Sequence, residues 1–165
     1  PMPRKWLMVS EFGQTKLALP AMQLTNLWLR SCERLRSVPR IPALRELDLD
    51  CCEELVQLPE LESLERLHVD RCPALTTIPH LPSLTSLHLD GCALRTVSSL
   101  PQLEYLDVRN APKLTAISNL PKVESIRLRN TCALKRISGV PALKLLHLRS
   151  MPRPGSLPDG DYTIA

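Results

Sequence analysis

Aromatic side chains are scarce in this chain: one Phe, two Tyr and two Trp among 165 residues. A core without large rings has to be filled by Leu, Val and Ile, and aliphatics of nearly one size suit stacked, equivalent layers. No apolar run approaches the roughly 18 residues that a membrane span needs. Nor does the chain open with a basic stretch followed by an apolar segment. The expectation is a soluble, untargeted domain with no membrane partner. Motifs of catalysis are missing too: there is no GxxxxGK[ST] phosphate loop, no GxSxG elbow, no HExxH and no CxxC. Charge excess of one sign is slight, with 21 Lys and Arg against 17 Asp and Glu. Such a balance implies neither nucleic acid nor a membrane surface, so the distribution of charge matters more than its sum.

What the chain has is a period. Leu24, Leu44, Leu64, Leu84, Leu103, Val123 and Leu143 recur every 19 or 20 residues. Leu27, Leu47, Leu67, Leu87, Leu106, Ile126 and Leu146 follow them, and a third column runs Leu29, Leu49, Val69, Leu89, Val108, Leu128, Leu148. Further columns are Leu35, Leu55, Leu75, Leu94, Leu114, Leu134 and then Val38, Leu58, Ile78, Val97, Ile117, Ile137. Pairs such as Ile41-Pro42, Leu81-Pro82, Leu100-Pro101, Leu120-Pro121 and Val140-Pro141 close the units, giving a working consensus LxxLxLxxCxxLxxLPxLP.

Within each unit, LxLx alternates with the two-residue period of a short strand that buries one face. The remainder is rich in proline, which removes a backbone donor and pushes its predecessor to extended geometry, so it cannot be helical. A unit this small cannot bury its own apolar side, and stacking closes the core. One domain over residues 1–165 is expected: a degenerate first unit over 1–23, six to seven regular units of about 20 residues over 24–148, and a degenerate last unit with a tail over 149–165.

These columns together resemble the leucine-rich-repeat family, from Leu24 to Leu157. The resemblance implies a curved horseshoe solenoid with a parallel β-sheet on its concave face. The convex side is expected to be extended or in short 3₁₀ turns, with little or no α-helix.

Four cysteines keep the period: Cys32, Cys52, Cys72 and Cys92. Their column continues as Ala111, Thr131 and Met151, replacements that a metal site would not tolerate as further rungs. Neighbouring strands lie about 4.8 Å apart, whereas a disulfide prefers β-carbons about 3.8 Å apart. Buried free thiols that pack as small hydrophobes are therefore expected, and free thiols in this number point to a reducing, cytoplasmic setting. Cys51 and Cys132 lie off the column, with Cys51 expected to be the more exposed and reactive.

The remaining strand positions form three polar ladders. The first is Asn26, Glu46, Arg66, Ser86, Tyr105, Ser125, Leu145, and the second Trp28, Asp48, His68, His88, Asp107, Arg127, His147. The third, Arg30, Asp50, Asp70, Asp90, Arg109, Arg129, Arg149, sets three successive aspartates before three arginines. Like charges opposite one another cost roughly 0.2 to 1 kcal/mol a pair, so stability alone would interleave the signs. Two readings stand side by side: a bipolar docking surface for a partner of complementary polarity, or drift among repeats copied in blocks. Trp28 and Tyr105 are the aromatic anchors of such a surface, since aromatics and Arg dominate hot spots.

His68 and His88 beside Asp70 and Asp90 suggest zinc only weakly, because no closed ligand set surrounds them. No catalytic, cofactor-binding or metal residue is assigned, and no small-molecule substrate is expected. Arg109, Arg127, Arg129, Lys144 and Arg149 would make a phosphate-facing patch. The acidic first half and the lack of aromatics for base stacking argue against nucleic acid.

Units such as LPSLTSLHLDGCALRTVSSLPQLEYLDV look like the C-terminal repeats of plant intracellular nucleotide-binding immune receptors. That resemblance implies an effector-sensing and autoinhibitory domain of a cytoplasmic receptor. Its partners would be a pathogen effector or guarded host protein, together with other domains of the same receptor. The alternative is the substrate-binding repeat domain of a bacterial type III secreted effector, whose units also close with LPxLP but carry Asn where Cys stands here. The uncapped first unit, Trp6, Leu7, Val9 and Phe12 closing at Leu19-Pro20, leads to the expectation of a fragment of a larger protein.

Overall fold

The computed structural model describes residues 5–19 and 23–150. Among them the chain winds into a parallel β-solenoid of about 7 turns, with no helix. Each turn contributes one strand of five residues: β1 Trp6–Ser10, β2 Asn26–Arg30, β3 Glu46–Asp50, β4 Arg66–Asp70, β5 Ser86–Asp90, β7 Tyr105–Arg109, β9 Ser125–Arg129 and β11 Leu145–Arg149. Three shorter strands lie on the return path: β6 Thr96–Ser98, β8 Ala116–Ser118 and β10 Arg136–Ser138. The long strands form one eight-stranded parallel sheet in chain order, and the short ones a second sheet of three.

The leucine columns explain the first sheet. Leu27 and Leu29, Leu47 and Leu49, Leu67 and Val69 alternate with polar neighbours, and each of these aliphatics is buried. One face is thus closed to water and the other carries the ladders. Register is fixed without a slip: Leu27 pairs with Leu47, Leu47 with Leu67, Leu67 with Leu87, and so on to Leu146. A shift by one residue would turn every leucine into solvent, which is why the register is so uniform.

Every long strand ends in a residue with left-handed backbone: Glu11, Ser31, Cys51, Arg71, Gly91, Asn110, Asn130 and Ser150. The corner turns the chain sharply, and its N–H donates to the last carbonyl of the next strand, as from Cys51 to Asp70 or from Asn110 to Arg129. Two β-turns then shape the return paths after β2, β3, β4, β7 and β9, and one shapes the path after β5. One is closed by the carbonyl of the cysteine column, as in Leu35 N–H to Cys32 C=O; the other precedes the next strand, as in Leu44 N–H to Ile41 C=O. Pro42, Pro82, Pro101, Pro121 and Pro141 occupy the second position of that turn, where a fixed φ near −65° suits the geometry. Among the described residues the return segments are otherwise extended or in short strands, with no helix.

The second sheet appears only in the later turns, for a covalent reason. Val38, Leu58 and Ile78 are followed by Pro39, Pro59 and Pro79, which have no N–H to give to a ladder. Val97, Ile117 and Ile137 are followed by Ser98, Ser118 and Ser138, which do, and there the return path pairs. These short strands also end in left-handed corners at Ser99, Asn119 and Gly139. At Gly139 a β-carbon would lie 3.0 Å from the Asn119 nitrogen, a tight contact, so glycine eases the packing there as well as the left-handed φ.

Buried aliphatics from every turn make one continuous core. The cysteine column lies inside it: Cys32, Cys52, Cys72 and Cys92 are buried and unpaired, and Ala111 and Thr131 continue the column equally buried. Cys32 Sγ lies 3.4 Å from the Arg30 carbonyl of its own turn and 3.7 Å from the Val9 carbonyl of the preceding one, Cys52 Sγ 3.8 Å from that of Asp50 and 3.9 Å from that of Leu29, and Cys72 Sγ 3.3 Å from that of Asp70. Burial pushes the Cys32 and Cys92 thiols up, and the neighbouring Cys72 thiol, then burial, does the same to Cys52. The expectation for Cys51 is overturned. It is half-buried, and burial followed by the Asp50 carboxylate pushes its thiol up, while Cys132 is the exposed cysteine.

Leu7 and Val9 pack inward while Trp6 and Met8 project from the edge strand β1. Pro20, Met151, Leu157-Pro158, expected from the sequence as a last closing pair, Asp159-Gly160-Asp161, expected as a turn, and the tail to Ala165 lie outside the described residues.

Candidate functional site

The polar face of the eight-stranded sheet gathers all the singled-out side chains, because uniform register turns each column into a straight ladder. The second ladder runs Met8, Trp28, Asp48, His68, His88, Asp107, Arg127, His147, and the third Ser10, Arg30, Asp50, Asp70, Asp90, Arg109, Arg129, Arg149. Trp28 shares its end of the face with Trp6, their ring centres 6.0 Å apart. Asp48 faces the His68 Nδ1 at 3.6 Å, and the His68 and His88 rings meet edge to face at 4.4 Å.

Asp50, Asp70 and Asp90 stand in direct register, yet their charges are answered from outside the ladder. Arg71 occupies the left-handed corner one residue after β4 and reaches back across the sheet. Its Nη2 lies 2.5 Å from Asp50 Oδ1 and its Nε 3.4 Å from Asp70 Oδ2. Asn110, at the corner after β7, donates to Asp90 at 2.7 Å, and Asn130 donates to Asn110 at 2.8 Å. These corner residues escape a reading of strand periodicity, since they belong to the turn. The readable signal was a long or amide side chain, Arg71, Asn110 or Asn130, immediately following the third-ladder position.

Asp107 is the departure on the other side. Its ladder position predicts exposure, but the residue is 3% exposed. A short carboxylate is hemmed in by longer neighbours: Tyr105 and Arg109 on its own strand, two residues away on the same face, and His88 and Arg127 across the register. Arg109 donates to it twice, Nε to Oδ1 at 3.1 Å and Nη2 to Oδ2 at 2.8 Å, and the Tyr105 hydroxyl donates at 3.3 Å. The hydrogen bonds from Arg109 to Asp107, and then the carboxylate's charge, push the guanidinium pKa up. Burial, and then the Asp107 charge, pushes the Tyr105 phenol up. His88 sits 3.5 Å from the same carboxylate, but burial and the neighbouring His68 outweigh it and lower the His88 pKa, so the ring is neutral at pH 7.

Beyond Asp107 the face is basic. Arg127 lies over the Tyr105 ring, 5.6 Å from its centre, and Arg149 Nε lies 2.9 Å from His147 Nε2. Arg109, Arg129 and Arg149 are in direct register. Together with Asp107, Arg127, Leu128 and His147 they line a recess of about 350 Å³. Among the described residues, the one carboxylate within 4.0 Å of these four guanidinium groups is Asp107, and it is held by Arg109. Among the described residues the two halves of the face are therefore unequal: the acidic one is compensated from its own corners, and the basic one is not.

Comparison with protein-family models, with curated proteins and with solved structures returns no match, so what the chain can do rests on this geometry.

Proposed function

We propose that this chain is a protein-recognition domain of the leucine-rich-repeat kind, its long sheet lying on the concave side of a horseshoe and its polar face meeting a macromolecular partner. The observation that supports it is the unbroken ladder of polar side chains with segregated charge, a surface that steers a partner by sign and register. Trp28, Asp48, Asp50, His68, Asp70, His88, Asp90, Tyr105, Arg127, Arg129, His147 and Arg149 are its contact residues, with Asp107 and Arg109 shaping it from beneath. The units with CxxLxxLP suit the repeat domain of a plant intracellular immune receptor, acting in the cytoplasm on a pathogen effector or a guarded host protein and on neighbouring domains of the same receptor.

The test is charge reversal at Arg127, Arg129 and Arg149, followed by capture of partners from plant cytosol beside the unaltered domain. Arg109 is left intact, because a glutamate there would face the buried Asp107. Loss of a retained partner, and of the salt dependence of its binding, with thermal stability nearly unchanged, is the expected result. Unaltered retention would remove the face from the interaction.

A further inference from the structure

The recess between β7, β9 and β11 gathers four arginines around one carboxylate, and that carboxylate is already bound by Arg109 on two edges. Arg127, Arg129 and Arg149 thus bring three guanidinium groups to a cavity of about 350 Å³ with no carboxylate against them among the described residues. Parallel pairing sets Arg129 directly beside Arg109 and Arg149 directly beside Arg129. Like charges so placed are destabilising until an anion sits between them. The acidic ladder, equally crowded, has Arg71 and Asn110 to relieve it; among the described residues the basic ladder has no such corner residue, since Asn130 turns to Asn110 instead.

We propose that this recess is a binding site for a phosphate-bearing small ligand. The choice among anions follows from donor geometry. A carboxylate is satisfied by one planar fork, as Asp107 is by Arg109, whereas a terminal phosphate offers three oxygens and two charges to several forks at once. The cavity is of a size that small ligands fill. Arg109 is held rigid by Asp107, so one wall is preorganised before any ligand arrives. His147, whose Nε2 accepts from Arg149, fixes the opposite wall. The site shares Arg127, Arg129, His147 and Arg149 with the proposed contact face, but it needs no macromolecular partner to fill, so a small anion offered alone tests it separately.

Titration calorimetry of the whole chain with inorganic pyrophosphate, in buffer whose ionic strength is held constant with chloride, tests the site. One saturable event is expected. Arg129→Gln and Arg127→Gln should each weaken it about tenfold, the scale of one charge-assisted hydrogen bond lost. Arg129→Lys keeps the charge, loses the fork, and should fall between. Arg40→Gln, which removes the same charge from the Arg40–Glu62 pair elsewhere on the surface, should leave binding unchanged. Circular dichroism confirms that each variant is folded. No saturable heat at millimolar pyrophosphate overturns the proposal, as does an equal loss in Arg40→Gln. Equal affinity for citrate would make the site a general anion sink, and tighter, steeply salt-dependent binding of single-stranded RNA would make the face a nucleic-acid surface; either result overturns it.

Discussion

Replacing Asp107 by asparagine separates the two jobs of the basic half of the sheet. Asn keeps the size of the side chain and one acceptor oxygen, but it removes the charge and sets an amide donor against the Arg109 guanidinium. Two hydrogen bonds from Arg109 and one from Tyr105 are affected. Hydrogen bonds to charged groups contribute about 1.5 to 3 kcal/mol, and breaking a fully buried pair costs about 3 to 5. Arg109 is 42% exposed at its side chain, so water takes up part of the loss, and about 2 kcal/mol is the expected cost. For a chain of this length that lowers Tm by about 4 to 8 °C. Urea denaturation under reducing conditions would measure it, and a cycle with Arg109→Gln should return a coupling of about 1 to 2 kcal/mol. Pyrophosphate affinity in the same variant should not fall, since losing the one carboxylate that lines the recess among the described residues outweighs the loosening of Arg109. A change in stability below about 0.5 kcal/mol, the level of an ordinary surface substitution, would show that Asp107 holds nothing. A fall in anion affinity would show that the carboxylate is needed to position Arg109 and that charge is secondary.

Two further outcomes follow from the titrating groups. His88 has a folded pKa below 6.5, so as pH drops through 6.5 the unfolded chain takes up a proton that the folded chain refuses. Stability conferred by the neutral ring is fully present above that pH and declines toward acid, and the slope should flatten in His88→Asn; an unchanged acid limb in that variant would clear His88 of the effect. With a maleimide reagent at neutral pH, Cys132 should react first, Cys51 slowly, and Cys32, Cys52, Cys72 and Cys92 only as fast as the chain opens. Rapid labelling of six thiols in the folded protein would contradict the inward column.

The alternation of Leu27 and Leu29 with Trp28, repeated at fixed intervals, dictated the strands, the inward face and the ladder membership before any coordinates, because side-chain period and stacking leave one arrangement that buries the leucines. The cysteine column was legible for the same reason: Ala111 and Thr131 in its later rungs mark it as a place for small buried groups. Even the confinement of the second sheet to later turns is written in the chain, as Pro39, Pro59 and Pro79 against Ser98, Ser118 and Ser138. Periodicity says nothing, however, about where a long side chain goes once it leaves the strand. Arg71 bends back from a left-handed corner to Asp50, 21 positions earlier, and Asp107 sinks among Tyr105, Arg109, His88 and Arg127 because their lengths exceed its own. Charge segregation was visible in the order of residues; which half is compensated among the described residues, and which gathers its guanidinium groups around a recess, depended on reach and depth across neighbouring strands. Those are properties of three dimensions, set by side-chain length and corner geometry, and tertiary structure alone decided them.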